Sequence, residues 1–400
     1  MSKNSIPEVR FCDFSDTWES KKIGDFGSVA MNKRIFKEET SETGEVPFYK
    51  IGTFGSEPDS FITREKFEEY KSKYPYPEIG DILISASGSI GRTLEYQGEE
   101  AYFQDSNIVW LKHDERLDNS FLKQFYSIVK WEGIEGTTIK RLYNKNILET
   151  PISLPSQEEQ SAIGSLFRTL DDLLASYKDN LAHYQSFKAT MLSKMFPKAG
   201  QTVPEIRLDG FEGEWELCEI NDLADDFQSG GTPKTNIQEY WDGDIPWIQS
   251  SDIGINCLFE IKVQKSISEK GLENSSAKII PKDSIAVVTR VGVGKLAVMR
   301  HEYATSQDFL SLSNLKSNIE FTAYLLYRLL QKEVTQLQGT SIKGITKGEL
   351  LSKKVLIPSL PEQQAIGAYF SNLDNLINSH QEKISQLETL KKKLLQDMFI

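Results

Sequence analysis

The 400-residue chain carries 46 Lys and Arg against 58 Asp and Glu, which gives a net charge of −12, and 39% of its residues are hydrophobic. That length and apolar content suit about two to four domains with their own cores. The acidic balance argues against nucleic-acid binding over the whole surface and leaves room for local basic patches or a basic partner. Three scattered cysteines and four scattered histidines exclude a disulfide framework and a metal site with regular ligand spacing.

The N-terminal residues, MSKNS, form no apolar signal core, and no stretch of the chain is apolar and long enough to cross a bilayer. We therefore expect a cytoplasmic protein.

Short motifs of the first half return in the second half. PEVRF at 7–11 recurs as PEIRL at 204–208, VPF at 46–48 as IPW at 245–247, and GDILIS at 80–85 as KDSIAV at 282–287. Gln-Asp at 104–105 recurs at 307–308, and GTTIK at 136–140 recurs as GTSIK at 339–343. Residues 81–85 and 284–288 are predicted to be buried strands, and residues 117–131 and 319–330 helices. Each globular part is therefore predicted to be a mixed α and β domain.

Each globular part leads into a long helical stretch. LPSQEEQSAI at 154–163 and IPSLPEQQAI at 357–366 align without a gap at an offset of 203, and apolar residues behind them recur alternately every four and three positions. This spacing is typical of a coiled-coil seam. The seam consists of Ile163, Phe167, Leu170, Leu174 and Leu181 in the first copy and Ile366, Phe370, Leu373, Ile377 and Ile384 in the second, among others. Lys188 and Lys391 interrupt it at equivalent positions.

Helix starts are predicted at Ser156 with Glu159 and at Ser359 with Glu362, since Ser followed three residues later by Glu forms a capping box. Each helix would run for about forty residues, or roughly 60 Å. Two homologous helices in one chain can pair antiparallel and hold two globular parts apart. That arrangement suits an extended ligand such as duplex DNA.

The sequence contains none of the following catalytic motifs in complete form. VGVGKL at 291–296 is similar to the end of a phosphate-binding loop, but the leading glycine is replaced by Thr289 and no Ser or Thr follows the lysine. Asp171-Asp172 is better explained as a solvated helix face than as a catalytic pair. Gly-x-Ser-x-Gly, His-Glu-x-x-His and paired Cys-x-x-Cys motifs do not occur in the sequence. A repeated scaffold with divergent loops favours a binding protein.

The Leu/Ile-Pro-x-x-x-Glu-Gln-x-x-Ile run, the Asp near each helix start (Asp171, Asp374), the SGGTP loop at 229–233 and the Gln-Asp and Gly-Thr repeats together resemble the specificity subunits of type I restriction–modification enzymes. The resemblance covers almost the whole chain. It implies an α+β protein with two target-recognition domains, each reading half of a bipartite asymmetric DNA sequence, separated by two long helices that pair as an antiparallel coiled coil. The implied segments are recognition domain 1 at 1–155, a central helix at 156–196, a linker at 197–203, recognition domain 2 at 204–358 and a C-terminal helix at 359–400.

The resemblance also implies partners. Two methyltransferase (modification) subunits would dock on the helices, and restriction subunits would join in the full complex. S-adenosylmethionine, ATP and Mg would belong to those partners, so this chain would bind no cofactor and catalyse no reaction.

Loops beside the repeated motifs supply the candidate DNA contacts, because phosphates need Lys, Arg or small donors and base edges need polar side chains that reach a groove. The candidates are Ser85, Ser87, Ser89, Arg92, Lys140 and Arg141 in the first domain and Thr232, Lys234, Thr289, Arg290, Lys295 and Lys343 in the second. The repeated Gln104-Asp105 and Gln307-Asp308 pairs are predicted to be structural, because residues that specify a sequence should differ between the domains.

Two other functions remain open from the residues alone. One is a coiled-coil scaffold protein with two ligand-binding heads. The other is an enzyme with a hidden nuclease or methyltransferase site, for which we find no motif.

Overall fold

A computed structural model describes residues 6–132, 140–254, 257–336 and 344–400. The chain divides into two compact units, residues 1–178 with 382–400 and residues 179–381. Each unit therefore contains one globular part and a piece of each long helix. Of the repeated glycine–threonine runs, only Lys140 lies among the described residues.

The first globular part is built on small sheets. Its strands are β1 Glu19–Lys22, β2 Gly27–Ala30, β3 Val46–Tyr49, β4 Phe61–Ile62, β5 Ile82–Ser85, β6 Thr93–Glu95, β7 Tyr102–Phe103, β8 Ile108–His113 and β9 Pro151–Leu154. Its helices are α1 Arg64–Lys73, α2 Asn119–Ile128 and α3 Asn144–Glu149, and the long helix α4 Gln157–Lys194 follows. The sheets have the strand orders β2-β8-β5-β6, β4-β3-β7 and β1-β9.

The second globular part has the same plan. Its strands are β10 Glu216–Glu219, β11 Ala224–Ser229, β12 Trp241–Ile248, β13 Lys265–Ile267, β14 Ser284–Val288, β15 Leu296–Met299, β16 Ala304–Thr305, β17 Phe309–Leu315 and β18 Lys354–Ile357. Its helices are α5 Glu269–Glu273, α6 Ile319–Gln336 and α7 Lys347–Leu351, and the long helix α8 Leu360–Asp397 follows. The orders β11-β17-β14-β15, β13-β12-β16 and β10-β18 match those of the first part strand for strand.

The motifs that revealed the repeat occupy equivalent strands. VPF lies on β3, which pairs parallel with β7, and IPW lies on β12, which pairs parallel with β16. The predicted strands at 81–85 and 284–288 are confirmed as β5 and β14, and all of their strand residues are buried. The predicted helix at 117–131 ends earlier, because Val129 is already extended, and the one at 319–330 continues to Gln336.

The predicted capping boxes are only partly right. Ser156 does accept a hydrogen bond from the backbone N–H of Glu159 at 3.3 Å. The Glu159 carboxylate does not turn back to the helix start; it accepts two bonds of 2.7 Å from Arg10. Glu362 is likewise held by Arg207, at 2.8 and 2.7 Å. Both carboxylates are only 1% exposed, so an ion pair replaces the box in each half because a buried carboxylate needs a charged partner.

In each unit the pieces of α4 and α8 run antiparallel. In the first unit, Lys178 binds Glu388 at 2.7 Å, and the rings of Phe167 and Phe399 lie 6.4 Å apart. In the second, the rings of Tyr184 and His380 lie 5.2 Å apart and those of Phe196 and Phe370 6.2 Å apart. Within each unit, residues later in α4 therefore contact residues earlier in α8, as antiparallel helices do.

The seam residues line these contacts. Ile163, Phe167, Leu170, Leu174, Ile366, Phe370, Leu373, Ile377 and Ile384 are buried, and Leu181 is half-buried. The two interrupting lysines also have an explanation: Lys188 pairs with Asp374, and Lys391 pairs with Asp171. The aspartates near the helix starts therefore neutralise the lysines of the seam.

The residues directly after each long helix close a core. Phe399 stacks on Phe121 at 5.1 Å in the first unit, and Phe196 stacks on Phe321 at 5.5 Å in the second. A tryptophan, Trp18 or Trp215, contacts each pair edge-on. This packing fixes each globular part to the helix ends.

Candidate nucleic-acid interface

Each globular part carries an open cleft where the repeated Gln-Asp pair enters a central strand. The first cleft, of about 1200 Å³, is lined by Arg34–Glu38, Gln104–Asn107 and Arg141 among others. The second, of about 940 Å³, is lined by Thr289–Val293, Gln307 and Gly344–Lys347 among others. Equivalent backbone bonds are made beside the lining residues Arg141 and Gly344, Leu142 N–H to Ala86 O at 2.8 Å and Ile345 N–H to Thr289 O at 2.7 Å. The two clefts therefore share lining positions of the repeated scaffold, Gln104 with Gln307 and Arg141 with Gly344, and other lining positions differ between them.

The Gln side chains of the repeated pairs make structural contacts. Gln104 accepts a hydrogen bond from the backbone N–H of Ile51 at 3.0 Å, and Gln307 accepts one from the Thr232 hydroxyl at 2.9 Å. The contacts of both glutamines within the scaffold support the predicted structural role.

Among the first-domain candidates, Ser85 must be withdrawn as a DNA contact. It is fully buried, its hydroxyl donates to the carbonyl of Ser89, and it accepts the backbone N–H of Arg92 at 2.9 Å. A hydroxyl that holds a turn from inside cannot also reach a phosphate.

Ser87 and Arg141 meet at the wall of the first cleft. The Ser87 hydroxyl donates to Asn107 Oδ1 at 2.7 Å, and Arg141 Nη2 donates to the same oxygen at 3.4 Å. Ser87 is buried behind this contact, whereas Arg141 lines the cleft. Of the predicted DNA contacts in the first domain, Arg141 is thus the one that lines the cleft. Ser87 holds Asn107, the residue that Arg141 also contacts.

Ser89, Arg92 and Lys140 are exposed but do not line the cleft. The Arg92 guanidinium donates to Ile51 O at 3.3 Å and lies 5.4 Å from the Phe54 ring centre. These three residues stay predictions for DNA contacts.

The second-domain candidates separate in the same way. Arg290 is exposed and lines the cleft. Thr289 lines it as well but is buried, and its hydroxyl donates to Asp308 O at 3.0 Å. Lys295 is withdrawn, because its ammonium donates to the carbonyls of Ser250 and Ile253 at 3.2 and 2.8 Å.

Thr232 and the exposed Lys234 do not line the second cleft. Lys343 lies outside the described residues.

The structure also brings in basic residues that the sequence analysis missed. Arg34, Lys37 and Lys50 line the first cleft, and the Arg34 guanidinium lies 5.4 Å from the ring of the half-exposed Phe36. Lys347 lines the second cleft and donates to Phe227 O at 3.1 Å. The stretch KRIFK at 33–37, with basic residues beside an aromatic one, was the available signal.

The two clefts differ in charge. Carboxylates in the first cleft, such as Glu38, Glu42 and Asp59, balance its cations, and Lys50 binds Asp59 at 2.8 Å. Among the described residues, the charged side chains that line the second are those of Arg290 and Lys347, both cations. Carboxylates can accept a hydrogen bond from cytosine N4, and arginine can donate to guanine. Different lining on one scaffold therefore presents different groups to a ligand.

The described residues also bear on metal binding and on membrane insertion. They hold no group of three or more His, Cys, Asp or Glu side chains placed to bind a metal ion. None of the helices among them combines the length and the apolar character that a membrane span requires.

Comparison with known proteins gives the family. The family model for the type I restriction modification DNA specificity domain matches residues 15–183 and again residues 212–389. A putative type I restriction enzyme specificity subunit of Haemophilus influenzae is 53% identical over 161 residues, which span 40% of this chain and 42% of that relative. A putative MjaX specificity subunit of Methanocaldococcus jannaschii is 22% identical over 98% of this chain and 95% of its own length.

A solved structure shows the same fold. The S subunit of a type I restriction-modification system from M. genitalium superposes with a TM-score of 0.64 at 16% identity, covering 99% of each chain. The duplicated match covers well over half of the sequence, and we conclude that this chain belongs to the type I restriction-modification DNA specificity family.

Proposed function

We propose that this protein directs a type I restriction–modification complex to a bipartite, asymmetric DNA sequence, each globular part reading one half-site. One observation carries the proposal: the same scaffold forms two clefts with different polar linings. Family membership supports this function and gives no support to the alternative of a scaffold with two unrelated ligand-binding heads.

The long helices supply the spacer in this proposal. Each runs unbroken for 38 residues, or roughly 57 Å. A rigid antiparallel pair would set the number of base pairs between the half-sites.

Exposed apolar residues on the helices support two docked methyltransferase subunits. Leu173 and Phe187 on α4 are 42% and 37% exposed, and Leu376 and Leu390 on α8 are 43% and 45% exposed. Leu376 and Leu390 follow Leu173 and Phe187 at the repeat offset of 203. Leu173 and Leu390 belong to the first unit and Phe187 and Leu376 to the second. Each unit thus offers one equivalent apolar surface, which suits two copies of one partner.

Catalysis is assigned to the partners. In this proposal the methyltransferase subunits bind S-adenosylmethionine, restriction subunits use ATP and Mg for cleavage, and this chain acts without a cofactor in the cytoplasm. The double-stranded DNA target is its only ligand besides these subunits.

Methylation mapping tests the function. The chain is co-purified with its methyltransferase subunits and incubated with genomic DNA and S-adenosylmethionine. Methylated adenines at one bipartite motif are expected. Methylation without sequence preference would contradict the proposal, and methyl transfer by this chain alone would show that it is itself an enzyme.

Domain exchange tests the division of labour. Replacing residues 20–150 by the equivalent domain of a relative should change one half of the motif only, and replacing residues 217–353 should change the other. A change of both halves in either hybrid would show that the domains form a single reading surface.

A further inference from the structure

A groove in the residue 179–381 unit holds two cations, Arg328 and Lys332, that no carboxylate among the described residues neutralises. The groove, of about 670 Å³, lies between the end of α4 and one face of α6 and is lined by Ser193, Lys198, Tyr327, Arg328 and Lys332 among others. It is separate from the cleft described above.

The acidic residues near this groove are paired with lysines other than Lys332. Glu205 binds Lys194 at 2.8 Å and Lys198 at 2.7 Å, and these two bonds lower the pKa of its carboxyl to about 2. Glu333, next to Lys332 in sequence, binds Lys353 at 2.8 Å. Residues 335–343, which follow on the chain, contain no Asp or Glu. Among the described residues, no carboxylate pairs with Arg328 or Lys332.

Arg328 is half-buried and donates to Pro197 O at 3.0 Å, with its guanidinium 5.5 Å from the Phe196 ring. Burial lowers the pKa of Arg328. Burial, and then the repulsion of Arg328, lower the pKa of Lys332. Two neighbouring cations, one of them half-buried, are stabilised by an anion.

The groove continues towards the second cleft. Gln331, which lines the groove, donates to Gly294 O at 2.7 Å. Gly294 closes the turn whose residues Gly292 and Val293 line the cleft. Cations therefore lie on both sides of one turn, Arg290 and Lys347 in the cleft and Arg328 and Lys332 beyond it.

The equivalent helix of the first domain, α2, lacks this cation pair. Asp118 N–H donates to Gln160 and Asn318 N–H donates to Gln363, at 2.9 and 3.0 Å, which aligns α2 with α6. In that register Ile128 occupies the position of Arg328, and α2 ends there, so it has no turn equivalent to the one that carries Lys332. The cation pair is thus absent from α2, the helix equivalent to α6, and is not required by the shared scaffold.

We infer that Arg328 and Lys332 form a phosphate-binding site that engages the DNA backbone beside the half-site read by the second domain. This inference rests on the proposed function and adds an asymmetry to it: the second domain holds more of the backbone than the first. A phosphate contact carries no base specificity, so it should strengthen binding to any duplex.

Lys332→Gln is the test variant, since Lys332 is exposed and its replacement leaves the core intact. Lys332→Arg retains the charge. Lys282→Gln is the matched control, because Lys282 is exposed and precedes β14, whose far end meets the cleft at Thr289. The five residues of β14 separate Lys282 from the cleft by roughly 17 Å.

Binding of the complex with its methyltransferase subunits is measured on two short duplexes, one with the mapped motif and one scrambled, between about 50 and 200 mM salt. Lys332→Gln should weaken binding to both duplexes roughly five- to tenfold at about 0.1 M salt and reduce the salt slope by about 0.9. Lys332→Arg and Lys282→Gln should retain the slope of the unsubstituted protein.

An unchanged slope in Lys332→Gln overturns the inference, and the proposed function stands if the unsubstituted complex still prefers its motif. Loss of methyltransferase subunits from Lys332→Gln at an unchanged slope would also overturn it, because the groove would then bind an acidic protein segment. Absence of any motif preference in the unsubstituted complex would overturn the proposed function, whereas the slope would still report on the groove.

Discussion

The lysine–aspartate pairs of the helix seam should differ sharply in their contribution to stability. The side chains of Lys188 and Asp374 are 9% and 13% exposed, whereas those of Lys391 and Asp171 are 25% and 34% exposed. Asp374 also accepts the Tyr324 hydroxyl at 2.6 Å. The same pair thus occurs once buried and once near the surface, which makes each pair the control for the other.

Removing one partner of a buried pair leaves an uncompensated charge and costs roughly 3–5 kcal/mol. Lys188→Met should therefore destabilise the protein by about 3 kcal/mol, because a single Tyr324 hydroxyl remains to stabilise the carboxylate. Asp374→Asn keeps an acceptor for that hydroxyl but leaves the ammonium unpaired. Lys391→Met should cost less than about 1 kcal/mol, since solvent screens a pair that is partly exposed.

The assay is urea unfolding followed by far-ultraviolet circular dichroism, applied to two double-mutant cycles. Lys188→Met with Asp374→Asn should give a coupling energy of about 2–3 kcal/mol. Lys391→Met with Asp171→Asn should give less than about 1 kcal/mol. Equal coupling energies in the two cycles would refute the argument from burial.

Three further outcomes are expected. Leu376→Lys places a charge on one of the two apolar helix surfaces, so co-purification and mass measurement should show one methyltransferase subunit lost and one retained; retention of both would refute the docking surface. Matched seven-residue insertions after Ala182 and Ser385 keep the seam in phase and lengthen both helices by roughly 10 Å, so methylation mapping should find the same half-sites about three base pairs further apart, at about 3.4 Å each; an unchanged spacer would show that the helices do not set it. Burial raises the pKa of the Cys218 thiol to about 11, so iodoacetamide at pH 8 should label the exposed Cys12 well before Cys218, with comparable labelling by mass spectrometry as the contrary result.

The sequence by itself determined the repeat, the long helices and the strands at the centre of each domain. These features depend on local patterns: a heptad spacing marks a helix face, and a short β-branched run marks a buried strand. Even the seam interruptions at Lys188 and Lys391 were visible, because an alignment at a constant offset needs no knowledge of three-dimensional contacts.

Only the tertiary structure decided which partners the polar side chains bind. Glu159 fits a capping box by its spacing, yet it binds Arg10, 149 residues away. Lys295 fits a phosphate contact by its loop, yet two backbone carbonyls hold its ammonium. A buried polar group must bind a partner that is buried beside it. That partner is set by packing between distant segments, which no local spacing records.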